Sequence, residues 1–160
     1  MIGIDPGQSG GIVKLSDTDS SVIFSDKFAD KTEHDIAELI REYACSDIVH
    51  DHVWIEQVHG GGSWRGKEGQ PRQQGAVSAF KFGDSFGFLK GCLVMVRVPF
   101  NFVTPQKWQK LMSCLTHGDK NVSKAAAQRL WPDHKWTHAI ADAALIAEYG
   151  LRVRATQRAF

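Results

Sequence analysis

Three carboxylates stand where chemistry would want them. Asp5 closes the short apolar run Met1-Ile2-Gly3-Ile4 and is followed at once by Pro6-Gly7, a strong turn signal. Glu56 comes near the end of a second apolar run, His52-Val53-Trp54-Ile55-Glu56-Gln57-Val58. Asp142 sits inside the almost wholly apolar stretch from Ala139 to Ala147. An aspartate that merely starts a turn is common, so Asp5 alone decides nothing. Three acids brought to one point repel each other unless a cation neutralises them. Oxygen-only ligands suit Mg²⁺ or Mn²⁺. Two such ions about 3.5–4 Å apart can activate a water and stabilise the leaving oxygen in phosphodiester hydrolysis. His138, one helical turn before Asp142 on the same face, could ligate a metal or orient the water. Lys120 could hold a phosphate or stabilise developing negative charge.

The basic residues are unevenly spread. Residues 16 to 51 hold ten acids against three bases, whereas residues 57 to 135 hold twelve Lys and Arg against four acids. One part of the molecule therefore reads as positive, as a polyanion partner requires, although a net charge of only +1 does not announce one. Two ordinary solvated faces are the competing reading. The stretch from His59 to Arg72 directly follows Glu56 and combines five glycines with Trp64, Arg65, Lys67 and Arg72. It reads as a flexible loop that orders on nucleic acid, its bases on phosphates and its ring stacked on or wedged between bases. The alternative is a surface loop whose Trp packs back on the body. Further along, Lys107, Lys110, Lys120, Lys124 and Arg129 make a pair of helices basic.

The elements that must position these residues follow from periodicity and breakers. Ile2–Asp5 and Ile12–Leu15 form a hairpin about Pro6-Gly7, and Ser21 to Phe28 is a third strand. Thr32 caps a helix that ends near Cys45 to Asp47, with Ile36, Leu39, Ile40 and Tyr43 at helical spacing. His52 to Val58 is a fourth strand, apolar enough to be central. If it lies beside the first, Asp5 and Glu56 arrive at one edge of the sheet. Gln73 to Leu89 is helical, and Gly75, Ala79, Gly83 and Gly87 fall four apart on one face. That small-residue face fits either a subunit interface or tight packing on the chain's own sheet. Cys92 to Pro99 reads as a fifth strand and Phe100 to Thr104 as an irregular stretch. Thr104-Pro105 opens a helix to about Cys114, with Trp108, Leu111 and Met112 on its apolar side. Asn121 or Ser123 caps another through Leu130, and Thr137 caps the last, which stops at Gly150 before a basic, fraying tail. The expected architecture is one α/β domain over residues 1–160, a mixed five-stranded sheet with its first three strands antiparallel and helices flanking it.

Composition narrows the class. No apolar run approaches the ~18 residues of a membrane span. The amino terminus carries no basic region followed by an apolar one, so no secretory signal is expected. Cys45, Cys92 and Cys114 are odd in number and lack metal-ligand spacing, and read as buried free thiols in a reducing, cytoplasmic setting.

Taken together, Ile4-Asp5-Pro6-Gly7 with Ser9-Gly10, Ile55-Glu56-Gln57-Val58, and Ala141-Asp142-Ala143 with Leu145-Ile146-Ala147 resemble the three acidic motifs of RuvC-type Holliday junction resolvases, in the family's order and at similar spacing. Thr104-Pro105-Gln106-Lys107-Trp108-Gln109 and the ending from Asp142 to Gly150 look especially like phage-encoded relatives, which would act in a bacterial host's cytoplasm. The resemblance implies a ribonuclease H-like fold, a homodimer, and paired Mg²⁺-dependent nicks across a four-way DNA junction. It gives Asp5, Glu56 and Asp142 the metal-binding roles. The family also has a fourth ligand, an acid or His, shortly before the last Asp; here Ala139 stands three before Asp142 and His138 four before, so His138 takes that role by departure from the pattern. The family's nearby basic residue best matches Lys120, with Lys124 and Lys107 as rivals, and the aromatic inserted at the junction centre matches Trp64. A broader nuclease for branched or forked DNA, and a junction-binding protein without cleavage, are the alternatives. Ile4 to Gly11 also resembles the phosphate loop of sugar-kinase and actin-like ATPases, but those need two such domains, so no nucleotide cofactor is expected.

Overall fold

The computed structural model describes residues 1–44, 51–57, 64–65, 71–72, 75–115, 119 and 121–158. Its centre is a five-stranded sheet. The strands are β1 (Ile2–Asp5), β2 (Gly11–Leu15), β3 (Val22–Lys27) and β4 (Val53–Glu56), with β7 (Phe100–Val103) at one edge. Two further short strands, β5 (Trp64–Arg65) and β6 (Pro71–Arg72), form a separate ribbon. The order in the main sheet is β3-β2-β1-β4-β7. β1 to β3 are antiparallel, and β4 and β7 run parallel to β1. The helices are α1 (Glu33–Ala44), α2 (Ala76–Met95), α3 (Pro105–Leu111), α4 (Asn121–Leu130) and α5 (His138–Arg158).

The two faces of the sheet are sorted by the alternation of side chains along each strand. Ile2, Ile4, Ile12, Val53 and Ile55 join Ile40 of α1 and Leu89 and Leu93 of α2 in one core. Val13, Leu15 and Val103 point the other way and pack with Trp108 and the apolar side of α5. Gly3 is on that second face. A Cβ there would lie 2.1 Å from the Ala143 carbonyl oxygen and 2.4 Å from the Ala147 nitrogen. Only glycine lets α5 cross β1 this closely.

The expected mixed sheet of five strands is present, but its fifth strand is not where periodicity placed it. Cys92 to Met95 belongs to α2, which continues past Leu89, and the stretch read as irregular supplies β7. Leu89 and Leu93 sit four apart and face the core, while Val94 and Met95 are 62% and 81% exposed. A short apolar run carries no period of its own, and here the helical alternative won. The helix ends at Met95 with Val96 as its C-cap, and Arg97 has a φ of +56° just before Val98-Pro99. The last helix also differs. It runs through Gly150 to Arg158 and does not stop there. A Cβ at Gly150 would lie 2.3 Å from the Trp54 ring, so this glycine is there for packing. The tail expected to fray is helical, and Arg154 pairs with Asp17 at 2.7 Å.

Several local readings hold. Thr32 and Asp35 cap α1 reciprocally: the Asp35 N–H donates to Thr32 Oγ1, and the Thr32 N–H donates to Asp35 Oδ2. At α4 it is Asp119 whose carboxylate takes the Asn121 N–H, at 2.9 Å, and Ser123 is buried within the helix. Cys92 and Cys114 are free thiols, but only Cys114 is buried as expected, Cys92 being half-buried on α2. Among the described residues no helix is long and apolar enough to cross a membrane.

Candidate active site

Asp5 and Glu56 are the last residues of two adjacent parallel strands, β1 and β4. Their partners Ile4 and Ile55 are in register, so the two carboxylates come side by side at the carboxyl end of the sheet. Strand alternation puts both on the face that α5 covers, because Ile4 and Ile55 point to the opposite core. The loop after Asp5 is drawn back under that end. The Gly10 N–H donates to the Gly7 carbonyl, and a Cβ on Gly10 would lie 2.0 Å from the Asp5 carbonyl oxygen.

Asp142 approaches that end of the sheet from α5. The start of that helix lies over β2: a Cβ on Gly11, the partner of Asp5, would be 3.2 Å from Ile140 and 3.3 Å from the Ala139 carbonyl. Burial pushes the Glu56 carboxyl up to about 7; a hydrogen bond from Trp108 opposes this, and the charge of Asp142 adds to it. Asp142 is therefore close enough for its charge to be felt at Glu56. It is also felt at Cys114, whose thiol burial, and then Asp142, push up to about 11. Cys114 stays a protonated core thiol.

Trp108 is the residue that sequence reasoning missed. Periodicity placed it on the apolar side of α3, and it is indeed 1% exposed. Its indole nitrogen donates to Glu56 Oε2 at 2.7 Å. One carboxylate oxygen is fixed by a rigid donor, which leaves the other for a ligand. Nothing in the sequence separates a core tryptophan from one that also orients an acid. Also unforeseen is a groove of about 560 Å³ beside the loop after Asp5, lined by Gly7, Gln8, Lys31, Ser78, Lys81 and Phe82.

The remaining expected site residues are placed less centrally. His138 is the first residue of α5, exposed, and one turn from Asp142 on the same face. Lys107 and Lys110 are exposed on α3, and Lys124 is exposed on α4. The segment read as a flexible loop contains an antiparallel ribbon in which Trp64 pairs with Arg72 and Arg65 with Pro71. The loop expectation is corrected at those four residues, whose backbone groups pair as two short strands, and the rest of the segment lies outside the described residues. Lys67 and Lys120 lie outside the described residues, as does Cys45.

Among the described residues, no three His, Cys, Asp or Glu side chains close on one point tightly enough to hold a metal ion. The donor chemistry nevertheless fits a hard cation. Glu56 is a desolvated carboxylate beside a second negative charge, and a bound cation would relieve both costs.

An acid-tipped mixed sheet with the order β3-β2-β1-β4-β7, a small-residue contact under α5 and helices on both faces defines a ribonuclease H-like fold. In sequence, no family model and no curated protein matches the chain. In structure, it is similar to RuvC of Thermus thermophilus in complex with a Holliday junction substrate, at a TM-score of 0.64 and 16% identity over 97% of this chain and 96% of that one. A second Thermus thermophilus RuvC structure gives 0.61 and 16% over 98% and 97%. The Fowlpox virus resolvase in complex with Holliday junction DNA gives 0.52 and 11% over 95% and 98%. At these identities the likeness is one of fold, and it spans essentially the whole of each chain.

Proposed function

We propose that this chain is a metal-dependent, structure-selective DNA endonuclease that resolves four-way junctions by paired symmetric nicks. What supports the reading is that Asp5 and Glu56 end the adjacent parallel strands β1 and β4 and that the charge of Asp142 acts on Glu56, on a fold whose solved neighbours include two proteins in complex with Holliday junctions.

Asp5, Glu56 and Asp142 would hold Mg²⁺, with Mn²⁺ as a substitute and two ions per site, and His138 would complete the set. When bound, the ions would supply an activated water and neutralise charge at the leaving oxygen. The chain's own residues do the positioning. Trp108 fixes one oxygen of Glu56, and the packing of α5 on Gly3 sets the depth of Asp142. Lys107, Lys110 and Lys124, with Lys120, would hold phosphates. The ribbon carrying Trp64, Arg65 and Arg72, with Lys67, would meet the junction, its ring stacking on or wedging between bases.

Paired nicks need two active sites, and α2 offers the surface for a homodimer. Gly83, Gly87 and Gly91 have open space where a Cβ would be. Phe80 and Val94, on the same helical stripe, are 74% and 62% exposed. The reading of the glycine face as packing on its own sheet is thereby set aside, and contact with a second copy is the reading it supports.

The test is cleavage of a labelled four-way junction beside matched duplex and fork DNA, with Mg²⁺, Mn²⁺ or EDTA. Wild type should nick the junction symmetrically with either metal and not with EDTA, and Asp5→Asn should bind without cutting. Equal cleavage of all branched forms would replace this reading with a broader nuclease. Tight binding with no product under either metal would leave a junction-binding protein.

A further inference from the structure

We propose that Ser25 and His134 are positioning residues: together they clasp the segment joining α4 to α5 onto the edge strand β3, and so hold the first turn of α5, which carries His138 and leads to Asp142, over the start of β2. The consequence at the metal rests on the nuclease reading; the clasp itself does not.

Residues 131–137 join the two helices and lie along β3. At one end the Trp131 indole nitrogen donates to the Ser20 carbonyl at 2.7 Å, shortly before β3 begins. In the middle, Ser25 Oγ and His134 Nε2 are hydrogen-bonded at 3.0 Å. At the other end, a Cβ on Gly11 would lie 3.2 Å from Ile140. Gly11 pairs with Lys27, the last residue of β3. The contacts therefore advance in step, through Ser20, Ser25 and the partner of Lys27 on the sheet, and through Trp131, His134 and Ile140 on the chain above it.

The first turn of α5 needs this support. The middle of the helix is seated by Gly3, which meets Ala143 and Ala147. The first turn lies beyond that seat. Thr137 and His138 are exposed, and no acid in the turn complements the helix dipole. The Thr137 hydroxyl caps it loosely, 3.5 Å from the Ile140 nitrogen. What fixes the turn is the chain that enters it. Trp136, next to Thr137, is 4% exposed; its indole nitrogen donates to the Trp131 carbonyl at 3.1 Å, and its ring lies 4.4 Å from that of His134. His134 thus touches β3 on one side and, on the other, the buried residue that anchors the helix start. A metal site needs its ligands held to within about 0.5 Å, which an unsupported first turn does not give. A serine hydroxyl both donates and accepts, so the bond forms with either ring tautomer and with the protonated ring, and the clasp is no pH switch.

Hydrogen exchange of the full chain in EDTA reads the clasp without metal, and Mn²⁺ titration reads its consequence. In Ser25→Ala and in His134→Ala, the Ala141 amide, which donates to the Thr137 carbonyl, should exchange about tenfold faster. The Ala147 amide, at the Gly3 crossing, should keep its wild-type rate. Mn²⁺ affinity should fall about tenfold in each variant. It should fall no further in the double variant, since either change opens the same bond. His134→Gln keeps a hydrogen-bonding end for Ser25 and should restore most of both properties. Unchanged exchange at Ala141 would overturn the clasp, and faster exchange with wild-type Mn²⁺ affinity would overturn its positioning role and leave it as packing. A wild type that binds no Mn²⁺ would overturn the nuclease reading instead, and the exchange rates alone would then decide the clasp.

Discussion

Glu56 is the residue on which opposing forces meet. Burial and the charge of Asp142 favour its neutral form, and the Trp108 N–H favours its charged form. Trp108→Phe keeps most of the buried volume and removes only the donor. Mn²⁺ affinity, read by metal titration, should fall about 10–100-fold, with cleavage falling in step and the fold intact. Unchanged metal affinity would reduce Trp108 to core packing. The raised value of Glu56, about 7 against an ordinary 4.5, also has a stability consequence in metal-free protein. Below the ordinary value both folded and unfolded chains hold the proton. Between the two values the unfolded chain ionises first, so stability should fall as pH rises and the loss should level off above about 7. Denaturant midpoints in EDTA should show this slope, Glu56→Gln should remove it, and added Mg²⁺ should suppress it.

At the scale of elements, the position of α5 rests on absent side chains. Gly3→Ala puts a Cβ 2.1 Å from the Ala143 oxygen, against backbone that cannot yield locally. It should cost about 1–3 kcal/mol or more in denaturant unfolding and should move Asp142 away from Asp5. Gly83→Ala, where a Cβ meets open space in the middle of α2, should instead stabilise the chain by up to about 1 kcal/mol. If both behave alike, the close crossing of α5 over β1 is wrong. The contrast shows what the sequence could and could not say. The strands ending in Asp5 and Glu56 were legible because each is an apolar run broken by turn residues or followed by glycines. The helix holding Asp142 was legible from Thr137 onward. Gly150 was misread because a glycine that ends a helix and a glycine that admits Trp54 look the same in one dimension. The segment from Leu89 to Val103 was misread for a related reason, since the neighbour that chooses between helix and strand there is β4, far away in sequence. Trp108 as the partner of Glu56 is likewise a contact across the fold.

At the scale of the whole molecule, the chain exposes an apolar stripe that a globular protein ordinarily covers. Phe80, Val77, Val94 and Met95 are between 62% and 81% exposed on α2, with the glycines between them. Small residues let two helix backbones approach closely, so the large residues of one copy can seat in the glycine grooves of the other. A twofold pairing of α2 with itself would set two acidic centres at a fixed separation, which paired nicking of one junction requires and a single centre cannot provide. Gly87→Glu tests this at the middle of the stripe. The residue has open space around it, so the substitution should leave the monomer folded, with an unfolding midpoint close to wild type. Placed against its own copy, the carboxylate would be desolvated opposite a like charge, and sedimentation should report monomer where wild type reports dimer. Junction cleavage should then lose its symmetry: single, uncoupled nicks should accumulate, because each centre would act without its partner. A dimer that survives Gly87→Glu, with both strands still cut together, would remove α2 from the interface and require another explanation for its exposed phenylalanine and methionine.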